Sequence, residues 1–266
     1  MTSYIGLPGA LVPITCPTRE DGTFGRSMSE MVPFSGGRVV QLGRGVRRSW
    51  SVDYAVEHPR DLAVLDTLTR WETPLSWVGA LAQATNLLTP GMAAMMDASF
   101  QGGASARSGA LDLGGFPVVA WAGGPVGSTV NVTGGANVPV RAGVPVTFTA
   151  WTQRAVAGTS VNLRYSIRDA TGTAIRTQEV AGPAGAGLQR AVWTLTPPAG
   201  AADMSLWVRN AAVVAAPQFT WTAGAVEYAP GRGVSQVVVL PGSESPLAAH
   251  STQALVAAAY TILEVG

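Results

Sequence analysis

Lysine is missing altogether: all 17 basic residues of this 266-residue chain are arginine. Charge of either sign is thin. Asp, Glu, Lys and Arg together make 12% of the residues, about half the roughly 25% of an ordinary soluble domain. The net charge is only +1, which argues against non-specific nucleic-acid binding. Cys16 is the one cysteine, so neither an internal disulfide nor a cysteine-based metal site can form. Two histidines, His58 and His250, leave little material for acid–base chemistry. No serine sits in a GxSxG elbow, and no HExxH pair or P-loop is present. A glycosidase needs two carboxylates about 5–9.5 Å apart, and no local spacing supplies such a pair. No enzymatic activity, cofactor or metal is expected. No apolar run approaches the ~20 residues of a membrane helix. The stretch MTSYIGLPGALVPITCP has no basic residue ahead of its apolar part, and prolines interrupt it. Neither a membrane span nor a signal peptide is expected.

What the chain does contain is apolar and small. Hydrophobic residues make 47% of it, with 32 glycines and 18 prolines. That is enough for real cores in one large or two smaller domains. A surface so poor in charge suits a subunit covered by neighbours, and equally a small-residue β protein.

Residues 1–37 read as an irregular lead-in rich in turns. Between Val46 and Tyr54 polarity alternates. Val46, Trp50, Val52 and Tyr54 share a face with Arg48, and Arg47, Ser49, Ser51 and Asp53 take the other. This predicts a half-buried antiparallel strand. HPRDLAVLDTLTRW predicts a helix from about Pro59 to Arg70. Pro59 suits the first turn, Asp61 suits the N-terminal dipole, and Leu62, Leu65, Leu68 and Trp71 form one apolar stripe. SWVGALAQATNLL reads as a further strand and a crossover.

From about Asn86 to Ala223 the helical pattern disappears. Short alternating runs are separated by Gly, Pro and Ala. Val146, Phe148 and Ala150 point inward, with Thr147, Thr149 and Trp151 outward. Val161, Leu163, Tyr165 and Ile167 oppose Asn162, Arg164, Ser166 and Arg168, and Asp169 to Gly172 form a turn. Met204, Leu206 and Val208 face in, Ser205, Trp207 and Arg209 out; Trp193 and Trp221 read as core. Such spacing predicts a β-sandwich or jelly roll. AVEYAPGRG reads as a linker, after which the texture of the first ninety residues returns. The expected fold is mainly β: a discontinuous β-sandwich-plus-helix domain, residues 1–88 with 229–266, and an inserted jelly-roll β-sandwich, residues 89–228. In YTILEVG, Tyr260, Ile262 and Glu264 alternate with Thr261, Leu263 and Val265. Both sides carry apolar groups, so this run is expected to pair with the N-terminal sheet.

The order of these pieces carries a resemblance. TPLSWVGALAQATNLLTPGMA, then a jelly roll, then PGRGVSQVVV and YTILEVG, resembles minor tail proteins of siphoviruses of actinobacteria, which are similar to distal tail proteins. Arginine without lysine, with abundant Ala, Gly, Val and Pro, accords with GC-rich coding of that kind. NLL at Asn86 to Leu88, VPVRAGVPVTFTAW and VNLRYSIRDATGT resemble carbohydrate-binding modules of the family 4/9 type. The resemblance implies a non-enzymatic virion subunit, made in the bacterial cytoplasm and placed at the tail tip. It implies a homo-oligomeric ring, hexameric or trimeric, joining tail tube and tape measure to fibre or baseplate proteins. The jelly roll would contact host-envelope glycan. A structural calcium common in such modules is doubtful here, because AAPQFTWTAG carries no carboxylate and Asp97 and Asp112 are scattered. The rival readings are a free carbohydrate-binding adhesin and an accessory module of a cell-wall glycan hydrolase.

Two sets of residues follow. Glycan binding in such modules uses flat rings against the sugar's C–H face, with polar side chains beside them. Trp151 and Trp207, with Arg164 and Arg168, are the candidates; packing against a loop, a domain or another subunit is the competing reading. Arg44, Arg47, Arg48, Tyr260 and Ile262 are candidates for a subunit interface, against a solvated sheet face for the arginines.

Overall fold

The computed structural model describes residues 2–31, 39–95, 106–112, 117–122, 129–134, 136–250 and 253–265. In chain order the first elements are β1 (Tyr4–Leu7), β2 (Ala10–Pro13), β3 (Arg19–Met31), β4 (Val39–Glu57), α1 (Pro59–Leu68), β5 (Leu75–Val78), α2 (Ala80–Thr85) and α3 (Pro90–Ala94). Next come β6 (Ala106–Asp112), β7 (Pro117–Ala122), β8 (Thr129–Asn131), β9 (Val138–Pro139), β10 (Val146–Arg154) and β11 (Asn162–Arg168). The chain continues with β12 (Ala174–Ala181), β13 (Gln189–Leu195), β14 (Asp203–Arg209), β15 (Ala211–Thr220), β16 (Val234–Leu240), β17 (Glu244–His250) and β18 (Gln253–Glu264).

The chain divides into two compact units. One holds Ser3–Val12 and Ser76–Ser235; the other holds Pro13–Leu75 and Gln236–Gly266. The sequence expectation put the divisions at 88 and 229 instead. Val78, Ala82, Leu87 and Leu88, all ahead of the expected division at 88/89, lie in the same apolar cluster as the sandwich strands.

In the larger unit, antiparallel strands make two five-stranded sheets. One runs β13-β10-β15-β7-β6, the other β12-β11-β14-β8 with β9 beside β14. Their inward faces fill one core. Val146, Phe148, Ala150 and Phe219 come from the first, and Leu163, Tyr165, Ile167, Met204, Leu206 and Val208 from the second. Phe148 stacks on Trp193, with centroids 5.7 Å apart and planes 18° from parallel. Such an aromatic pair adds about 0.5–1.5 kcal/mol beyond its area burial. On β11 and β14 every residue read as inward is buried, and of those read as outward Ser166 and Ser205 are buried as well. The alternation fails on β10, where Thr147 and Thr149 are buried although their parity points outward. A further layer covers that side: Thr147 donates to the Thr222 carbonyl, and Thr149 to the Gln218 side chain. Trp221 is only half-buried, with its indole N–H bonded to the Pro139 carbonyl.

The segment read as a linker is docked. Asn86 is fully buried. Its amide donates to the carbonyls of Pro217 and Ala229, and its oxygen accepts from the N–H groups of Leu88 and Phe219. Gly231 and Gly233 then pass close over residues 87–89; a Cβ on Gly233 would stand 1.6 Å from the Leu87 carbonyl oxygen. Only glycine permits that approach.

The smaller unit pairs β16-β18-β4-β3, with β17 also on β18. The expected pairing of the last strand is present: Tyr260 faces Val52 and Ile262 faces Trp50 across β18 and β4. The alternation on β4 holds, with Arg48, Trp50, Val52 and Tyr54 all buried. Helix α1 begins with Pro59 in its first turn and buries Leu62 and Leu65. Each such leucine is worth about 1.5–3 kcal/mol of burial. Trp71, expected on the same stripe, lies past the helix end and is 45% exposed. The lead-in expected to be irregular contains β1, β2 and β3. The crossover after β5 is helical at α2, and α3 adds a short turn of helix where none was expected. Thr89 caps α3 by accepting from the Met92 N–H.

Candidate functional site

Four strands of the second sheet bring polar and aromatic side chains onto its outer face. Residues alternate across a strand, so Arg164 and Ser166 on β11 face away from the core filled by Leu163, Tyr165 and Ile167. Arg164 stands directly opposite Trp207 of β14 on one side and Glu179 of β12 on the other. Ser166 stands opposite Thr177, their hydroxyls 3.2 Å apart. Thr129 of β8 lies opposite Arg209. Together Thr129, Arg164, Ser166, Thr177 and Trp207 line an open groove of about 310 Å³. That volume is at the lower end of small-ligand sites, about 300–1,000 Å³. Arg164 is exposed, Trp207 half-buried and Ser166 buried, so an indole, a guanidinium and threonine hydroxyls line the groove together.

The charges around the groove are arranged in pairs. Glu179 accepts from the Asn162 amide on one oxygen and from the Arg209 guanidinium on the other. The Asn162 hydrogen bond, above all, holds its carboxyl below the ordinary glutamate range. Arg168 faces Asp203 across β11 and β14. Burial pushes the Asp203 carboxyl above its ordinary range, and its Oδ1 has no hydrogen-bond partner.

A second cavity of about 460 Å³ is lined by Gly9, Leu11, Arg141, Asp169, Thr171 and Gly200 among others. Its charged groups are engaged locally. Arg141 lies over the Tyr4 ring, 4.3 Å from its centroid. Asp169 accepts from the N–H groups of Thr171 and Thr173 and from the Thr171 hydroxyl. In the smaller groove Ser166 and Thr177 bond each other, and Arg164 is the exposed cation.

Of the four residues expected to meet sugar, the structure brings two together, Trp207 and Arg164. Arg168 is on the same face but outside the groove lining. Trp151 belongs to the other sheet, where it packs with Val213 and Tyr228 on Ala215 and Ala216. The β10–β15 register shifts between Thr149 and Trp151. This is the packing alternative, and Trp151 is no part of the groove. Ser166, Thr177 and Thr129 were missed as lining residues. Strand parity marks the first; the other two needed the strand order.

The residues expected at a subunit interface have contacts within the smaller unit. Arg48 is 3% exposed. Its Nε and Nη2 donate to the two oxygens of Glu264, at 2.8 and 2.7 Å. Tyr260 is buried and donates its hydroxyl to Asp66, and Ile262 is fully buried. Parity placed Arg48 on the apolar face; its acid partner, 216 residues away, was not legible. The side chains of Arg44 and Arg47, and Asp97 and the Asp112 side chain, lie outside the described residues. Among the described residues no cluster of His, Cys, Asp and Glu is able to hold a metal ion.

No protein-family model and no curated protein matches the chain. Solved structures give partial likenesses. The enzymatically active domain of tailspike protein 4 of bacteriophage CBA120 matches at 12% identity and a TM-score of 0.37, over 51% of this chain and 21% of that one. The CBM22-1–GH10 modules of xylanase 10B from Clostridium thermocellum, complexed with xylohexaose, match at 11% identity and 0.28, over 69% and 29%. The VP2 subviral particle of infectious bursal disease virus matches at 9% and 0.24, over 99% and 56%. This chain thus spans well under two thirds of each, and at these scores none assigns it a fold or an activity.

Proposed function

We propose that this chain binds carbohydrate through the groove on the outer face of its β-sandwich, and that this sandwich is the expected jelly-roll module. One observation carries the reading: the Trp207 ring stands beside the Arg164 guanidinium and the hydroxyls of Thr129, Ser166 and Thr177 in one open groove. A pyranose presents an apolar C–H face and a rim of hydroxyls, and this lining offers a counterpart to each. Among the described residues no carboxylate lines the groove, and the proposal is binding without bond cleavage. Isothermal titration with oligosaccharides tests it. Trp207→Ala is expected to abolish binding while Trp151→Ala leaves it intact. Unchanged binding in Trp207→Ala would remove the groove from the reading.

For the whole chain we propose a minor tail protein at a phage tail tip. The smaller unit would join a ring of six or three copies, linked to tail tube, tape-measure and fibre or baseplate proteins. The groove would meet the host envelope. The order of the sequence pieces supports this. Immunogold electron microscopy of virions is the test. Gold at the tail tip is expected; protein free in the lysate and absent from particles would favour a free adhesin or a hydrolase's accessory module.

A further inference from the structure

We infer that the groove selects a glycan unit bearing an oxyanion, a carboxylate or a phosphate, over a neutral sugar. The inference rests on the glycan-binding reading and deepens it.

The argument is one of pairing. On this sheet face Arg209 is bonded to Glu179, whose other oxygen is taken by Asn162. Arg168 faces Asp203 across the strands and acts on its carboxyl through space. Arg164 is the arginine whose facing acid, Glu179, has both oxygens taken by other groups. It makes no hydrogen bond or ion pair among the described residues, and it is exposed at the groove. Its cross-strand neighbour Glu179 feels it only through space, both carboxylate oxygens being engaged elsewhere.

Position gives this cation a task. Residues directly opposite on antiparallel strands have Cβ atoms about 4.5–5.5 Å apart. A substituent on a pyranose stacked on Trp207 therefore falls within reach of Arg164. A guanidinium offers a planar fork of N–H donors that matches a carboxylate or phosphate with two parallel bonds. A neutral hydroxyl uses one donor at a time and gains no charge assistance. Thr129, Ser166 and Thr177 supply neutral partners for the remaining hydroxyls. Among the described residues no acid lines the groove, and the nearest, Glu179, has its charge offset by Arg209.

The test is calorimetric titration of the full chain with three probes at low and high salt: cellohexaose, hexagalacturonate and a glycosylated poly(glycerol phosphate). At least one anionic probe is expected to bind about tenfold tighter than the neutral one, with the advantage shrinking at high salt. Arg164→Gln is expected to erase that advantage, weakening the anionic probes about tenfold more than it weakens cellohexaose. Arg164→Lys, which keeps the charge and loses the fork, is expected to retain part of it. Preference for the carboxylate or for the phosphate probe alone sustains the inference and names the source. Equal affinity for neutral and anionic probes, or equal loss of both in Arg164→Gln, overturns it and leaves glycan binding standing. If the parent chain binds no probe, or Trp207→Ala binds all as before, the glycan reading falls and this inference with it.

Discussion

Single side chains carry much of this protein's order because charge is so scarce. The buried Arg48–Glu264 pair is the clearest case, with side chains 4% and 15% exposed. Removing one partner leaves an uncompensated charge, at a cost of about 3–5 kcal/mol. Glu264→Ala is therefore expected to lower stability by about that amount in urea denaturation. Arg48→Met with Glu264→Leu is expected to recover most of the loss. Asp203 gives the opposite lesson. Its folded pKa is raised by burial. The stability it contributes is thus complete below its ordinary value of 3.8 and is lost as pH rises through the folded value. Asp203→Asn is expected to be more stable than the parent at neutral pH. The gap should close as pH falls toward 3.8 in a series of thermal melts. A gap that widens in acid would contradict the assignment.

At the scale of elements, the docked strap 229–233 shows how a loop without regular structure is held. The Asn86 side chain bonds Ala229 of the strap, Pro217 and Phe219 of β15 and the Leu88 N–H, four hydrogen bonds in all. Each buried partner left unmade costs about 1–3 kcal/mol. Asn86→Ala is expected to destabilise the larger unit by about 3 kcal/mol or more. Gly233→Ala is expected to lift the strap, read as new proteolytic cleavage near residue 230, because the Leu87 carbonyl occupies the space a Cβ needs. Periodicity does not reveal such an element. AVEYAPGRG lacks an apolar stripe, and what fixes it is backbone proximity to residues distant in the chain. The β-strands are different. On β11 and β14 every inward residue read from alternation is buried, since a sheet with one face on a core imposes period two. β10 breaks the rule because both of its faces are covered, and a threonine serves there once its hydroxyl is bonded.

For the molecule as a whole, the proposed ring makes a direct prediction. Native mass spectrometry is expected to show three or six copies, and a monomer at every concentration would remove the ring. Tyr260→Phe is expected to leave that number unchanged while costing about 1 kcal/mol, because its hydroxyl bonds Asp66 inside the smaller unit. Binding to glycan should be equally insensitive to substitutions at Arg48, Tyr260 and Ile262, which serve the smaller unit's core.

Composition and local pattern were enough for the mainly β character, helix α1, the inward faces of most sandwich strands, and Trp207 and Arg164 as outward residues. These depend on nearest neighbours along the chain and on one buried face. The strand order, the partners of Arg48 and Asn86, the docked strap and the fate of Trp151 were decided in three dimensions. Each depends on which distant segment lies alongside, and pairing between residues far apart leaves no periodic trace in either segment. The groove belongs to both levels. Parity along β11 and β14 pointed its residues outward, but only the placement of β8 and β12 beside them added Thr129 and Thr177 and set Arg164 opposite Glu179, an acid whose two oxygens are taken by Asn162 and Arg209.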